Sequence, residues 1–297
     1  MASSAPRSTS AGSAVPLVFD VGMHRAEDTA YYLHRGHRVV AVEANPALAA
    51  EAAVRFAAEI AAGRLTILNV AIGEAAAVLP FWVCDDHTEW SSFNRDVASR
   101  LGAAHHRIDV QTVTFESLLE AHGVPFFLKV DIEGHDHHCL RALRAERLPP
   151  YLSAETSGPV IAQLPRLREL GYTGFKLISQ ATMLAIELPP TAEQRRWERA
   201  AWLAGSTGAA ARLARRVVPW RWIKRGVERP RTLGSWHFPR GSSGPFGEDT
   251  PGRWLPLEEF QRVWARCLES QARGDASPFW EPDTAHSFWT DVHARRG

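Results

Sequence analysis

Cysteine is scarce in this sequence. Cys84, Cys139 and Cys267 are widely spaced and form no CxxC pair, which argues against a disulfide framework and against a zinc ribbon. An excess of one charge is also missing. The 34 Lys and Arg nearly cancel the 33 Asp and Glu, leaving a formal +1 and no global reason to expect a nucleic-acid partner. No stretch reaches the roughly 18–20 apolar residues of a spanning helix, so no transmembrane segment is expected. The opening residues, MASSAPRSTSAGSA, lack the apolar core of a secretory signal. They read as a disordered tail over 1–14, and the cytoplasm is the expected compartment.

What is present is a core. An apolar content of 45% over 297 residues supports one large α/β domain, or one domain with an appendage. VPLVFDV at 15–21 reads as a buried strand ending at Asp20 and Gly22, and DTAYYLHRG as a helix stopped by Gly36. HRVVAVEAN is a second strand ending at Glu43. Asn45 then caps an Ala-rich helix with Pro46 at its first position. LTILNVA at 65–71 is a third strand. This alternation predicts a doubly wound, mostly parallel sheet.

Further strands are expected at 77–83 and 108–114, in PFFLKVD and in PPYLSAE, with helices in FESLLEAHG, in HDHHCLRAL and around 160–170. TGFKLISQ and TMLAIEL read as a closing antiparallel hairpin. Pro189 and Pro190 end this domain, which spans 15–189. Residues 190–297 form a helical, loop-rich appendage that holds nine of the eleven tryptophans.

In a doubly wound sheet, ligands sit beyond the carboxyl ends of the strands. Gly22 permits a tight turn there, and the helix that follows offers free N–H groups. Glu43 lies about 20 residues further on, where an acid accepts two ribose hydroxyls. Both a nicotinamide cofactor and S-adenosylmethionine fit that pattern. The full GxGxxG that a pyrophosphate needs is absent, which favours a cofactor without one.

The stretches VFDVGMHRAEDT, VVAVEANP, LNVAIG, SSF at 91–93, VTFESLL and FFLKVDIEGHD together resemble the FkbM family of S-adenosylmethionine-dependent methyltransferases, over roughly residues 15–187. The family's first motif usually runs DVGAN-x-G. This chain has Met23 and His24 in place of Ala-Asn, and Ala26 in place of the second glycine. The resemblance implies a class I methyltransferase sheet and methyl transfer to a hydroxyl of a small molecule, typically a sugar or natural-product scaffold. It also implies that Asp20, Gly22 and Glu43 lie on the cofactor, with Ala71 and Ile72 near its adenine. Ser92 and Phe93 belong to the SSF segment, Ser92 expected toward the cofactor and Phe93 toward the acceptor. His24 either touches the cofactor carboxylate or replaces the structural asparagine.

KVDIEGHD sets Lys129, Asp131, Glu133, His135 and Asp136 within eight residues, at the end of a buried strand. Methyl transfer to a hydroxyl needs alignment and a place for one proton. Either Asp131 or Glu133 is the base, with Lys129 and His135 beside it, or Asp131 and Glu133 hold Mg²⁺ or a similar divalent ion. His135, His137 and His138 suggest zinc or iron at first sight, but they also read as a solvated first helical turn. Glu155 ends the next strand and either contacts the acceptor or serves the following helix.

From Arg195 to Arg231 there are eleven Arg or Lys residues against two glutamates. This stretch either grips an acidic acceptor, a membrane surface or nucleic acid, or simply turns its arginines to water. The loop GSSGPFGEDTPG is expected to complete the acceptor pocket through Glu248 and Asp249. WTDVHARRG stays ambiguous, with surface or packing roles for His286 and His293. Methylation at nitrogen, or a noncatalytic binding protein, are the rivals to O-methylation. A homo-oligomer is left open.

Overall fold

The computed structural model describes residues 15–180, 182–205, 209–219, 232–239, 241–273 and 289–297. The expected tail at 1–14, residues 220–231 of the arginine-rich stretch, and His286 lie outside the described residues. The first half of the chain follows the predicted alternation. It comprises β1 (Leu17–Val21), α1 (Glu27–His34), β2 (Arg38–Val42), α2 (Pro46–Arg55), α3 (Ala57–Ala61) and β3 (Leu65–Leu68). Asn45 caps α2 as its sequence position suggests, its side chain accepting from the Ala47 N–H at 3.0 Å. An annex follows, with β4 (Ala71–Ile72), β5 (Ala77–Cys84), the short α4 (Arg95–Ala98) and β6 (His105–Val113). Its three strands form a separate sheet in the order β4-β6-β5.

The chain then returns to the main sheet. It runs through α5 (Phe115–His122), β7 (Phe127–Val130), α6 (Asp136–Ala142), β8 (Tyr151–Glu155), α7 (Gly158–Ile161), α8 (Leu164–Leu170) and β9 (Tyr172–Ser179). Beyond lie α9 (Ala192–Gly205), α10 (Ala209–Val217), the hairpin strands β10 (Thr232–Leu233) and β11 (Trp236–His237), α11 (Leu257–Ala272) and β12 (Thr290–Arg296).

The main sheet has seven strands in the order β3-β2-β1-β7-β8-β12-β9. The first five neighbours pair in parallel, while β12 is antiparallel to both β8 and β9. The fold is thus mixed α/β, and the expectation of a doubly wound, mostly parallel sheet is met in part. Two expectations are corrected here. The hairpin expected over 173–188 shrinks to one antiparallel bridge between Ile178 and Ala185, and β9 pairs along its length with β12 instead. The strand that completes the sheet comes from 290–296, within the segment assigned to the appendage.

Strand β1 shows why these runs are so apolar. Alternate residues point to opposite faces, and both faces are covered. Phe19 and Val21 join Leu128, Val130 and Leu152 in the larger core cluster, with Phe115, Leu140, Leu167 and Phe260 from α5, α6, α8 and α11. Val18 joins Tyr31, Tyr32 and Phe127 in a second cluster on the α1 side. Residues from the C-terminal region complete that second layer. Phe246 stacks on Phe127 with ring centroids 4.2 Å apart, and Phe238 meets Tyr31 at 4.7 Å. Among the described residues, no helix is long and apolar enough to cross a membrane.

Candidate functional site

The chain order reverses between β1 and β7, and a cavity of about 810 Å³ opens beyond the carboxyl ends of the strands there. Gly22 begins its floor. At φ +85° it is in the region that favours glycine, and a Cβ would sit 1.8 Å from the Asp131 carbonyl oxygen. The loop that follows holds two more left-handed residues, His24 and Ala26, at φ 52° and 60°. Those are the positions where the resemblance has Asn and Gly, residues that take this conformation readily. The departures from the motif therefore put residues that take this conformation less readily at two positions held left-handed.

Glu43, just past β2, faces the cavity with its carboxylate fixed from both sides. One oxygen accepts from the His24 N–H and the other from the Asn45 N–H, each at 2.8 Å. Burial raises its pKa, and these N–H groups oppose the rise. His24 donates or accepts at Thr88 Oγ1, 2.8 Å away. This contact ties the first loop to the excursion between β5 and β6. The excursion supplies a wall of the cavity through Thr88, Trp90, Phe93 and Arg100.

Beneath this floor lies a buried charge network. Lys129 donates to the Gly22 carbonyl at 2.7 Å and lies 3.2 Å from Asp20 and 3.9 Å from Asp131. Burial works against its charge, but Asp20, then Asp131 and Asp28, outweigh it and hold Lys129 above the ordinary lysine range. It stays protonated and anchors the turn, so it is not a proton acceptor. Asp20 is fully buried, accepts from Thr29 Oγ1 at 2.6 Å and does not line the cavity. Its place on the cofactor is corrected: it points to the α1 layer beside Val18 and supports Lys129 from below. Ser92 is corrected too. It is 1% exposed and donates to the Glu133 carbonyl at 3.1 Å, bracing the acidic turn from outside the cavity.

That turn is tight. Glu133 has φ 48° and Gly134 φ 98°, and the buried Asp136 accepts from the Ile132 and Gly134 N–H groups at 3.2 Å each. It presents Asp131 and Glu133 beside Glu155 at the end of β8, with one carboxylate oxygen of each within 4.8 Å of the others. Burial, then the Asp131 charge, pushes Glu133 up to about 8. Burial, then Glu133 and Asp131, pushes Glu155 well above the carboxyl range. At neutral pH Glu133 therefore holds a proton. Among the described residues this trio of carboxylates is the one group of three or more side chains with ligand atoms placed for a metal, and the histidines of 135–138 form no such group. His135 instead packs its ring 4.8 Å from Phe93.

Gly22, His24, Glu43, Ala71, Ile72, Phe93, Lys129, Asp131, Glu133, His135 and Glu155 all line the cavity. Glu248 and Asp249 do not. Phe246 is anchored in the core, which carries the loop across the sheet to the opposite edge. There Glu248 accepts from Tyr151, Trp254 and Arg295, and Asp249 pairs with Arg35 at 2.6 Å. Only Gly241 of that loop reaches the cavity, next to Ser242 and Ser243, which donate to Asp28.

Sequence reasoning missed Asp28, Arg100, Gln180 and Asp291. Asp291, on β12, is the cross-strand partner of Glu155 and accepts from the cavity residue Gln180 at 2.6 Å. The acidic EDT that opens α1 was a usable signal for Asp28. Nothing local marked Asp291.

Residues 20–149 match the family described as the methyltransferase FkbM domain. This part of the chain is a methyltransferase domain. The match takes in the first loop, Glu43, the excursion and the acidic turn, but ends before Glu155. Among solved structures, methyltransferase FkbM from Methylobacillus flagellatus KT is similar at 17% identity and a TM-score of 0.33, covering 48% of this chain and 32% of that one. Precorrin-6y C5,15-methyltransferase from Geobacter metallireducens GS-15 is similar at 13% identity and a TM-score of 0.32, covering 55% and 66%. The chain thus spans about a third of the length of the first. No curated protein matches it.

Proposed function

We propose that the chain is an S-adenosylmethionine-dependent O-methyltransferase of the class I type, acting on a hydroxyl of a small molecule such as a sugar or natural-product scaffold. The observation that carries this reading is Glu43. Two backbone N–H groups orient its carboxylate, and an ionised carboxylate has about four acceptor sites, so two are left for a pair of ribose hydroxyls. Gly22, His24, Ala71 and Ile72 would hold the rest of the cofactor. When bound, S-adenosylmethionine supplies a methyl group already activated on a sulfonium centre.

The chain's own residues then have two tasks. The cavity walls, with Phe93 and Glu155, orient the acceptor, and Asp131, beside Glu133 in the acidic turn, takes up the hydroxyl proton. The carboxylate oxygens of Asp131, Glu133 and Glu155 also fit a hard divalent cation such as Mg²⁺, which would lower the acceptor's pKa. Methylation at nitrogen is the second reading, favoured by the proton that Glu133 retains at neutral pH, since an amine delivered neutral needs less of a base. Calorimetric titration with S-adenosylmethionine and S-adenosylhomocysteine, with NAD as control, tests the shared part. Saturable binding of the sulfur compounds alone is expected. Binding of NAD alone, or of none by the folded protein, overturns the reading.

A further inference from the structure

The near-neutral charge of the whole chain hides a local imbalance on α10. Its nine residues, AAARLARRV, include three arginines and no acid. The helix packs on α9 through one side, where Ala214 and the following Val218 are half-buried. On the other side Ala209, Leu213 and Val217 follow one another at i, i+4 and i+8, all exposed, with Leu213 at 64% and Val217 at 78%. Arg212 and Arg216 form the adjacent i, i+4 row and are exposed as well. An outward apolar row edged by a cationic row, on a helix without acids, has the two chemistries of an anionic bilayer surface in the matching arrangement. The apolar row suits the acyl boundary and the arginines suit the headgroup phosphates.

We propose that α10 docks the protein on an anionic lipid surface, with Leu213 and Val217 entering the interface and Arg212 and Arg216 on the headgroups. Nucleic acid would use the arginines but gives no role to the apolar row. The proposal is independent of the methyl-transfer reading, because lipid binding needs no cofactor.

The test is co-sedimentation of the full chain with vesicles of phosphatidylcholine plus phosphatidylglycerol, against phosphatidylcholine alone and against a DNA duplex. Binding is expected on the anionic vesicles, weakening with added salt. Arg212→Gln with Arg216→Gln lowers the partition coefficient on the order of 20-fold, at roughly fivefold per charge. Leu213→Gln with Val217→Gln lowers it about tenfold or more. All four positions are exposed. Leu213→Ser with Val217→Ser, checked by circular dichroism, repeats the measurement if the first pair perturbs folding. Absence of binding to anionic vesicles overturns the proposal. So does unchanged binding by both apolar pairs, or DNA binding that exceeds vesicle binding and depends on the arginines alone.

Discussion

Replacing Glu133 by glutamine should change how stability responds to pH, without any need to know the acceptor. In the folded protein burial and the Asp131 charge raise Glu133 to about 8, against an ordinary value of 4.5. The folded state therefore keeps a proton that the unfolded chain releases. Its contribution is fully present below about pH 4.5 and is lost as pH rises through about 8. At about 1.4 kcal/mol per pH unit the ceiling is about 5 kcal/mol. The side chain is 18% exposed and the nearby Arg100 charge opposes the rise, so about 1–3 kcal/mol is the expected difference. Glu133→Gln mimics the protonated acid and has nothing to ionise. Urea unfolding of both proteins from about pH 5 to about pH 9 should give near-equal stability at the acid end. At the alkaline end the variant should be ahead by about 1–3 kcal/mol. A difference that stays constant across the range would refute the assignment of the proton to this turn. If the trio binds Mg²⁺, adding it at high pH should raise the wild-type midpoint and leave that of the variant nearly unchanged.

Three further outcomes follow from single contacts. Glu43→Ala should weaken S-adenosylmethionine binding about 10- to 100-fold in calorimetry, the loss of hydrogen bonds to a charged acceptor; an unchanged affinity would remove Glu43 from the cofactor site. Gly22→Ala should lower the melting temperature sharply or abolish folding, because its Cβ would meet the Asp131 carbonyl at 1.8 Å and φ is +85°; wild-type stability would mean the two strand ends are not so close. His293→Leu should leave stability unchanged or raise it by about 1 kcal/mol near neutral pH, since both ring nitrogens are buried without partners. Burial, then the Lys176 charge, lowers His293 to about 3, so the wild type should lose stability relative to the variant as pH falls from about 6.5 toward 3, and parallel acid profiles would contradict this.

The parts legible in the sequence share a physical cause. Strands β1, β2, β7 and β8 are covered on both faces, so they read as apolar runs, and the acids that close β2, β7 and β8 mark the carboxyl edge where the cavity lies. Glu43, Asp131 and Glu155 were found in that way. A motif gives a residue's position along a strand but not which neighbour it meets, and there the reading of Asp20 and Ser92 failed. Asp20 alternates with Phe19 and Val21, which sends it to Lys129 beneath the floor. Glu248 and Asp249 were misplaced because a Gly- and Pro-rich loop looks like a surface lid, whereas Phe246 in its middle is a core residue stacked on Phe127.

Strand β12 was illegible for a different reason. It is buried on both faces: beside Val292 and Ala294 it carries Thr290, Asp291 and His293, polar groups that local patterning assigns to solvent. They are buried because the partners arrive from far along the chain. Gln180 reaches Asp291 across 111 residues, and Thr156 meets Thr290 across 134. Val292 and Ala294 alone give the segment only a short apolar face, and its polar groups find partners only once β8 and β9 flank it. The strand's first residues in turn brace both Glu155, on β8, and Gln180, just past β9, which line the cavity. The cavity is therefore completed by residues outside the 20–149 match, and removing the last strand should disturb its Glu155 side more than Glu43 and the first loop.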